Sequence, residues 1–161
     1  MTLDEVQPVL EAAGFVPQSG ATFDEARSRS FIRPSSGLWK IGAYADVDDR
    51  YGGGPRVDIG LKLDPRGASI GTVHRILSLR ALHARIQEIL TTLEALAQQE
   101  QLLKCPKCGT RWVAIKEPSA GGKQFSPFLS CQGMHRARGR MGKYTPCDGV
   151  STQIPALLVH R

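Results

Sequence analysis

Four cysteines confined to one end of the chain constrain its fold more than any other feature. Two residues separate Cys105 from Cys108, and Cys131 and Cys147 follow after intervals of 22 and 15 residues. Cys105-Pro-Lys-Cys108-Gly109 brings two thiols together across a tight turn, and Gly109 can take the positive-φ position that such a knuckle needs. Four thiolates in two separated halves, in a block too short to build a sizeable core alone, form the pattern of a structural Zn2+ site. Four sulfur ligands leave no open coordination position, so one zinc ion is expected to hold the fold and do no chemistry. His135, four residues after Cys131, is an alternative fourth ligand. Cys147 is favoured because Thr145-Pro-Cys-Asp-Gly149 reads as a second turn closing the site. A redox Cys-x-x-Cys would follow a helix rather than a strand and would leave two thiols unexplained. Disulfides would need an oxidising compartment, whereas the first twenty residues carry Asp4, Glu5 and Glu11 instead of an export signal.

Charge follows the same division. Across the 161 residues the net charge is +6, but residues 1–70 hold eight Lys/Arg against ten Asp/Glu, residues 71–103 three of each, and residues 104–161 ten against two. The cysteines therefore sit in a strongly basic block beside an acidic and a neutral one. That arrangement suits a module for polyanions, nucleic acid first. No apolar run approaches the roughly eighteen residues needed to cross a bilayer, and a cytoplasmic protein with no membrane partner is expected.

The fold expected upstream is α+β. Thr2-Leu-Asp-Glu5 has the spacing of a capping box, and Leu3, Val6, Leu10 and Ala13 fall on one helical stripe that Gly14 can end, with Pro8 as an irregularity inside it. Ser30–Arg33, Leu38–Ala45 and Arg56–Leu63 read as strands separated by turn-rich segments, and Val57, Ile59, Leu61 and Leu63 alternate with polar or small residues. These elements predict a small domain over residues 1–70 with an antiparallel sheet. From Thr72 to Lys104 there is no Gly or Pro, and Leu79, Leu82, Ile86, Ile89, Leu93, Leu96 and Leu103 keep three- and four-residue steps broken only at Glu100. A long amphipathic helix over 71–104 is expected, its seam either forming a coiled-coil homodimer through 79–103 or packing on the sheet. His74 and His83 have no neighbour at ligand spacing and are expected to be packed or exposed residues.

Cys105-Pro-Lys-Cys-Gly109, the strand-like Arg111-Trp-Val-Ala-Ile115, then Gly122-Lys123, Phe125 and Pro127-Phe-Leu-Ser-Cys131 resemble the C4 zinc ribbon at the C-terminal end of type IA DNA topoisomerases. The resemblance covers about residues 105–149 of a candidate ribbon over 105–161. It implies that Cys105, Cys108, Cys131 and Cys147 bind zinc and that the ribbon contacts DNA, preferentially single strands. Gln124 departs from the pattern as an extra hairpin residue, and the long basic segment Gln132–Pro146 replaces a short closing one, which bears on the fourth ligand. The rest of the chain has no room for a topoisomerase core, so that activity is not expected.

The residues themselves suggest how nucleic acid would be held. Arg136, Arg138, Arg140 and Lys143 lie on a glycine-containing loop between metal-binding halves, with Lys104, Lys107, Arg111, Lys116 and Lys123 nearby. Neutralising about four to six phosphates of a single strand gives a log–log salt slope of about −3 to −4. Phe125 and Tyr144, beside Lys123 and Lys143, are candidates for stacking on unpaired bases, whereas Trp112 and Phe128 are expected in the ribbon's own core. Asp46, Asp48, Asp49, Asp58 and Asp64 raise the alternative of a small metal-dependent nuclease. Several of them flank the Gly52-Gly-Gly-Pro55 turn, where Asp serves local backbone bonding, so a non-enzymatic protein is expected. The reading is a DNA-binding accessory factor, with residues 1–70 offering either a contact for a protein partner or a second nucleic-acid surface. The alternative is an adaptor whose zinc ribbon docks on a DNA- or RNA-processing enzyme.

Overall fold

The computed structural model describes residues 1–19, 26–34, 39–47, 54–63, 69–109, 113–116, 123–131, 147 and 149–154. Helix α1 spans Leu3–Ala12. Its start is fixed locally: the Thr2 hydroxyl accepts from the Glu5 backbone N–H at 3.3 Å, and the Glu5 carboxylate accepts from the Thr2 N–H at 2.7 Å. Two of the N–H groups left over at a helix start are thereby satisfied. Pro8 is accommodated on the exposed side, while Leu3, Val6 and Leu10 are buried. Gly14, at φ +85°, ends the helix by turning the chain in the left-handed region.

Strands β1 (Val16–Gln18), β2 (Ser28–Arg33), β3 (Lys40–Asp46), β4 (Arg56–Lys62) and β5 (Ile70–Ile76) follow, each pairing antiparallel with the next. The alternation of β4 survives intact: Val57, Ile59 and Leu61 are fully buried, and Arg56, Asp58 and Lys62 point the other way. Helix α2 (Leu79–Gln98) begins where the Ser78 hydroxyl accepts from the Ala81 N–H at 3.2 Å. It lies against β4 and β5 and touches α1, which in turn packs on β2 and β3. Both helices therefore cover one face of the sheet, and an ion pair from Arg33 on β2 to Glu94 on α2 ties the layers at their edge.

This architecture corrects the expected single helix over 71–104. Ile70–Ile76 is the fifth strand, so the sheet runs past residue 70, and the chain leaves α2 at Gln99 for a 3-10 turn over Glu100–Leu103. The break falls where Glu100 interrupts the apolar series. Leu82, Ile86, Ile89, Leu93, Leu96 and Leu103 are all buried against their own chain, so the seam is occupied by the sheet. The outward side of α2 carries Arg80, His83, Gln87, Glu88, Thr91 and Glu94.

Beyond the turn, β6 (Val113–Lys116), β7 (Phe128–Cys131) and β8 (Val150–Ser151) pair antiparallel in order. A parallel pairing of Gly71 with Ala114 joins β6 to β5, giving an eight-stranded sheet in sequence order. Leu103, Cys105, Val113, Leu129 and Cys131 belong to the same buried cluster as Val57, Ile59 and Leu82. The strands around the cysteines thus extend the sheet and its core. Among the described residues no helix is long and apolar enough to cross a membrane.

Candidate metal centre

Three local devices deliver the thiols. The 3-10 turn buries Leu103 and hands the chain to Cys105, whose carbonyl accepts from the Gly109 N–H at 2.8 Å, closing the knuckle that carries Cys108. Gly109 sits at φ +66°, as the turn requires. Strand β7 carries Cys131 at its end, and the Cys131 N–H donates to the Gly149 carbonyl at 2.9 Å, which holds Cys147 beside it.

The four sulfur atoms lie within 4.8 Å of one another. Four ligands about 2.3 Å from a tetrahedral ion stand about 3.8 Å apart, and the Cys105 and Cys147 sulfurs are 3.8 Å apart. All four cysteines are free thiols, and that separation is far beyond the ~2.05 Å of a disulfide. The donor set and spacing fit one metal ion. Cys105 and Cys131 are buried and Cys108 and Cys147 half-buried, so the ion would bridge core and surface. The Gly149 N–H acts to lower the Cys147 pKa, but burial and the neighbouring Cys105 and Cys108 thiols outweigh it and Cys131, and the thiol titrates above its ordinary value. An ion that takes the thiolate relieves this crowding of protonated sulfurs.

Gly149 contributes a feature that the spacing of the cysteines does not reveal. A Cβ built there would lie 2.6 Å from the Cys105 sulfur, 3.2 Å from the Cys147 sulfur and 3.0 Å from the Lys107 Cβ. Only a residue without a side chain lets this backbone close over the sulfurs. The one sequence signal was its place at the end of the Thr145–Gly149 turn.

Of the residues singled out for nucleic acid, Lys107 is exposed on the knuckle, and Lys123 and Phe125 are exposed before β7. The Phe125 and Phe128 rings pair at 5.6 Å between centroids, tilted by 54°. Phe128 is only half-buried. Arg111, Trp112, His135, Arg136, Arg138, Arg140, Lys143 and Tyr144 lie outside the described residues, as do Asp48, Asp49 and Asp64. Asp46 and Asp58 stand on β3 and β4 with Arg56 3.5 Å from each, and Asp58 also takes a two-pronged contact from Arg75 at 2.8 and 3.1 Å. His74 is buried on β5, and His83 is exposed on α2.

No family model matches the chain, and no curated protein or solved structure is significantly similar to it. Fold and site define an α+β protein with a helix-covered sheet and four cysteines placed so that they could hold one metal ion.

Proposed function

We propose that this chain is a zinc-dependent accessory protein that binds single-stranded DNA. The observation that carries the reading is the coincidence of a closed four-thiol centre with the basic third of the chain, where ten Lys/Arg face two Asp/Glu. Four thiolates suit Zn2+ and leave it no position for substrate, so the ion is structural. The resemblance to topoisomerase C4 ribbons gives the polyanion its identity as DNA, and the exposed Phe125 ring beside Lys123 supports a preference for unpaired bases. The reading is non-enzymatic.

Fluorescence anisotropy of the zinc-loaded full-length protein with labelled single- and double-stranded oligonucleotides, at several salt concentrations, tests it. Tight binding to the single strand with a log–log slope near −3 to −4 is expected. Replacing Arg136, Arg138, Arg140 and Lys143 together by Gln should flatten that slope. No binding at 50 mM salt would refute the DNA reading and favour the adaptor.

A further inference from the structure

The two faces of the sheet differ in charge as well as in cover. Both helices lie on the face that carries Phe31, Ala43, Val57, Ile59 and Ile76. Helix α1 brings Asp4, Glu5 and Glu11 to that side with no Lys or Arg of its own, while Arg29 and Arg33 of β2 reach Gln7 of α1 and Glu94 of α2 there. Strand register puts Lys40, Tyr44 and Asp46 of β3 on the opposite face, together with Arg56, Asp58 and Lys62 of β4 and Arg75 of β5. No helix of the described residues covers it. Among the described residues of β3, β4 and β5 it carries four cations and two carboxylates, and Arg56 and Arg75 bridge those carboxylates at one end. At the other end Lys40 and Lys62 stand directly opposite each other across the strands. Between them the floor is flat: Gly42 pairs with Gly60, and the Lys62 stem lies where a Cβ on Gly42 would stand, 2.7 Å from its Cδ and Cε.

The same face continues to the metal end. Residues paired in a parallel bridge point to one side, so the Gly71–Ala114 pairing carries the face into β6, and the Ala114–Ser130 pairing carries it into β7. By register Leu129 and Cys131 lie on the side of Val113 and the core, whereas Phe128 lies on the other side with Ser130, which is itself buried. Phe128, with Phe125 beside it, therefore shares a face with Tyr44.

We propose that this helix-free face is a second contact surface for single-stranded DNA, continuous with the metal end, with Tyr44 and Phe128 stacking bases and Lys40 and Lys62 holding phosphates. The proposal rests on the DNA-binding reading above and extends it to the acidic N-terminal half. From β3 to β7 there are four strand spacings, roughly 19 Å, a span that a few nucleotides of an extended single strand can cross. Unpaired bases suit the surface because aromatic rings on a sheet offer them stacking partners, while the phosphates outside meet the lysines.

The test uses the zinc-loaded full-length protein and a labelled 12-nucleotide single strand. Lys40→Gln combined with Lys62→Met removes two charges while Met keeps an apolar stem over Gly42. Losing two phosphate contacts should reduce the salt slope by about 1.4 and weaken binding about 25-fold at 0.1 M salt relative to 1 M. Tyr44→Leu should weaken binding about five-fold or more with the slope unchanged. Zinc content and thermal melting establish that each variant folds. Photocrosslinking of a bromouracil-substituted strand to the unmodified protein gives a reading free of mutation, and Tyr44 should be among the labelled residues. Wild-type binding with an unchanged slope in the lysine variant, or no crosslink in β3, would overturn the second surface and leave the metal-end reading standing. Failure of the wild-type protein to bind any single strand would overturn both.

Discussion

Gly149→Ala tests whether the backbone after Cys147 closes the metal centre. The added methyl carbon would meet the Cys105 sulfur at 2.6 Å, the Lys107 Cβ at 3.0 Å and the Cys147 sulfur at 3.2 Å. Favourable contacts between heavy atoms lie near 3.5–4.0 Å, so the nearest sulfur or the backbone must move by about 1 Å. Metal–ligand distances hold to about ±0.2 Å, and a displacement several times larger cannot be absorbed in the ligand shell alone. Neither cysteine is removed, and the Gly149 N–H survives, so the loss should match that of supporting residues around metal sites, about 10- to 100-fold in affinity. That is about 1.4–2.7 kcal/mol.

The assay is competition for Zn2+ against a chromophoric chelator, with Co2+ substitution reporting tetrahedral thiolate geometry. Gly109→Ala is the informative comparison, because nothing lies within 4 Å of its Cβ position and its need for glycine comes from φ +66° alone. Asn tolerates that backbone region better than Ala, so Gly109→Asn should recover part of the loss. Asn at 149 should be at least as damaging as Ala, because the obstacle there is space. Wild-type affinity in Gly149→Ala would refute the reasoning and remove residues 147–149 as the closing segment.

Metal affinity should rise with pH, because the apo thiols must ionise and Cys147 titrates above its ordinary value. A pH-indicator dye during titration should report protons released on binding, and pH-independent affinity would contradict a thiolate site. Leu93→Ala removes a fully buried side chain from the middle of α2 and should cost about 2–5 kcal/mol in urea unfolding. A loss below about 1 kcal/mol would place the seam outside the core. Thr2→Ala should destabilise the fold by about 1 kcal/mol through loss of the cap. Because the capping bond from Thr2 holds the Glu5 carboxyl below its ordinary value, the Glu5 contribution should persist above the usual carboxylate range and fade only as acid protonates it. An unchanged melt in Thr2→Ala at neutral pH would remove the cap from the stability argument.

What could be read in advance was whatever neighbours in sequence decide. The capping box at Thr2 and Glu5 needs only a spacing of three, and β4 needs only alternation, so both were legible. The cysteines were legible because four thiols in a short basic block have few other uses. Strand β1 was missed because it has three residues, one of them Pro17. Strand β5 was missed because the Gly- and Pro-free stretch from Thr72 reads straight into α2, and His74 stands where the alternation calls for an apolar residue. The seam was visible but its partner was not, since a second helix and a sheet ask for the same spacing of Leu and Ile. Gly149 escaped notice because its constraint comes from Cys105 and Lys107, more than forty residues away.

Net charge by segment misleads for a similar reason. Residues 1–70 sum to −2 from eight Lys/Arg and ten Asp/Glu, which alone would steer a polyanion elsewhere. Folding partly separates those charges: the carboxylates of α1 go to the helix layer with Arg29 and Arg33, whereas Lys40, Arg56 and Lys62 share the opposite face with Asp46 and Asp58, and Arg75 joins them there from β5. A polyanion meets a surface, and its field within about 8–10 Å is set by the charges on that surface more than by the chain total. The β5–β6 pairing then matters beyond topology. It places β6–β8, with Cys131 at the end of β7, on the same sheet as that cationic face, and Cys105 and Cys131 are buried in the common core. Loss of the metal should therefore loosen the β6–β8 end first and reach β5 through Leu103, Val113 and Leu129. Hydrogen exchange after chelation should show protection lost in that order, and protection unchanged in β6–β8 would mean that the sheet holds its shape without the ion.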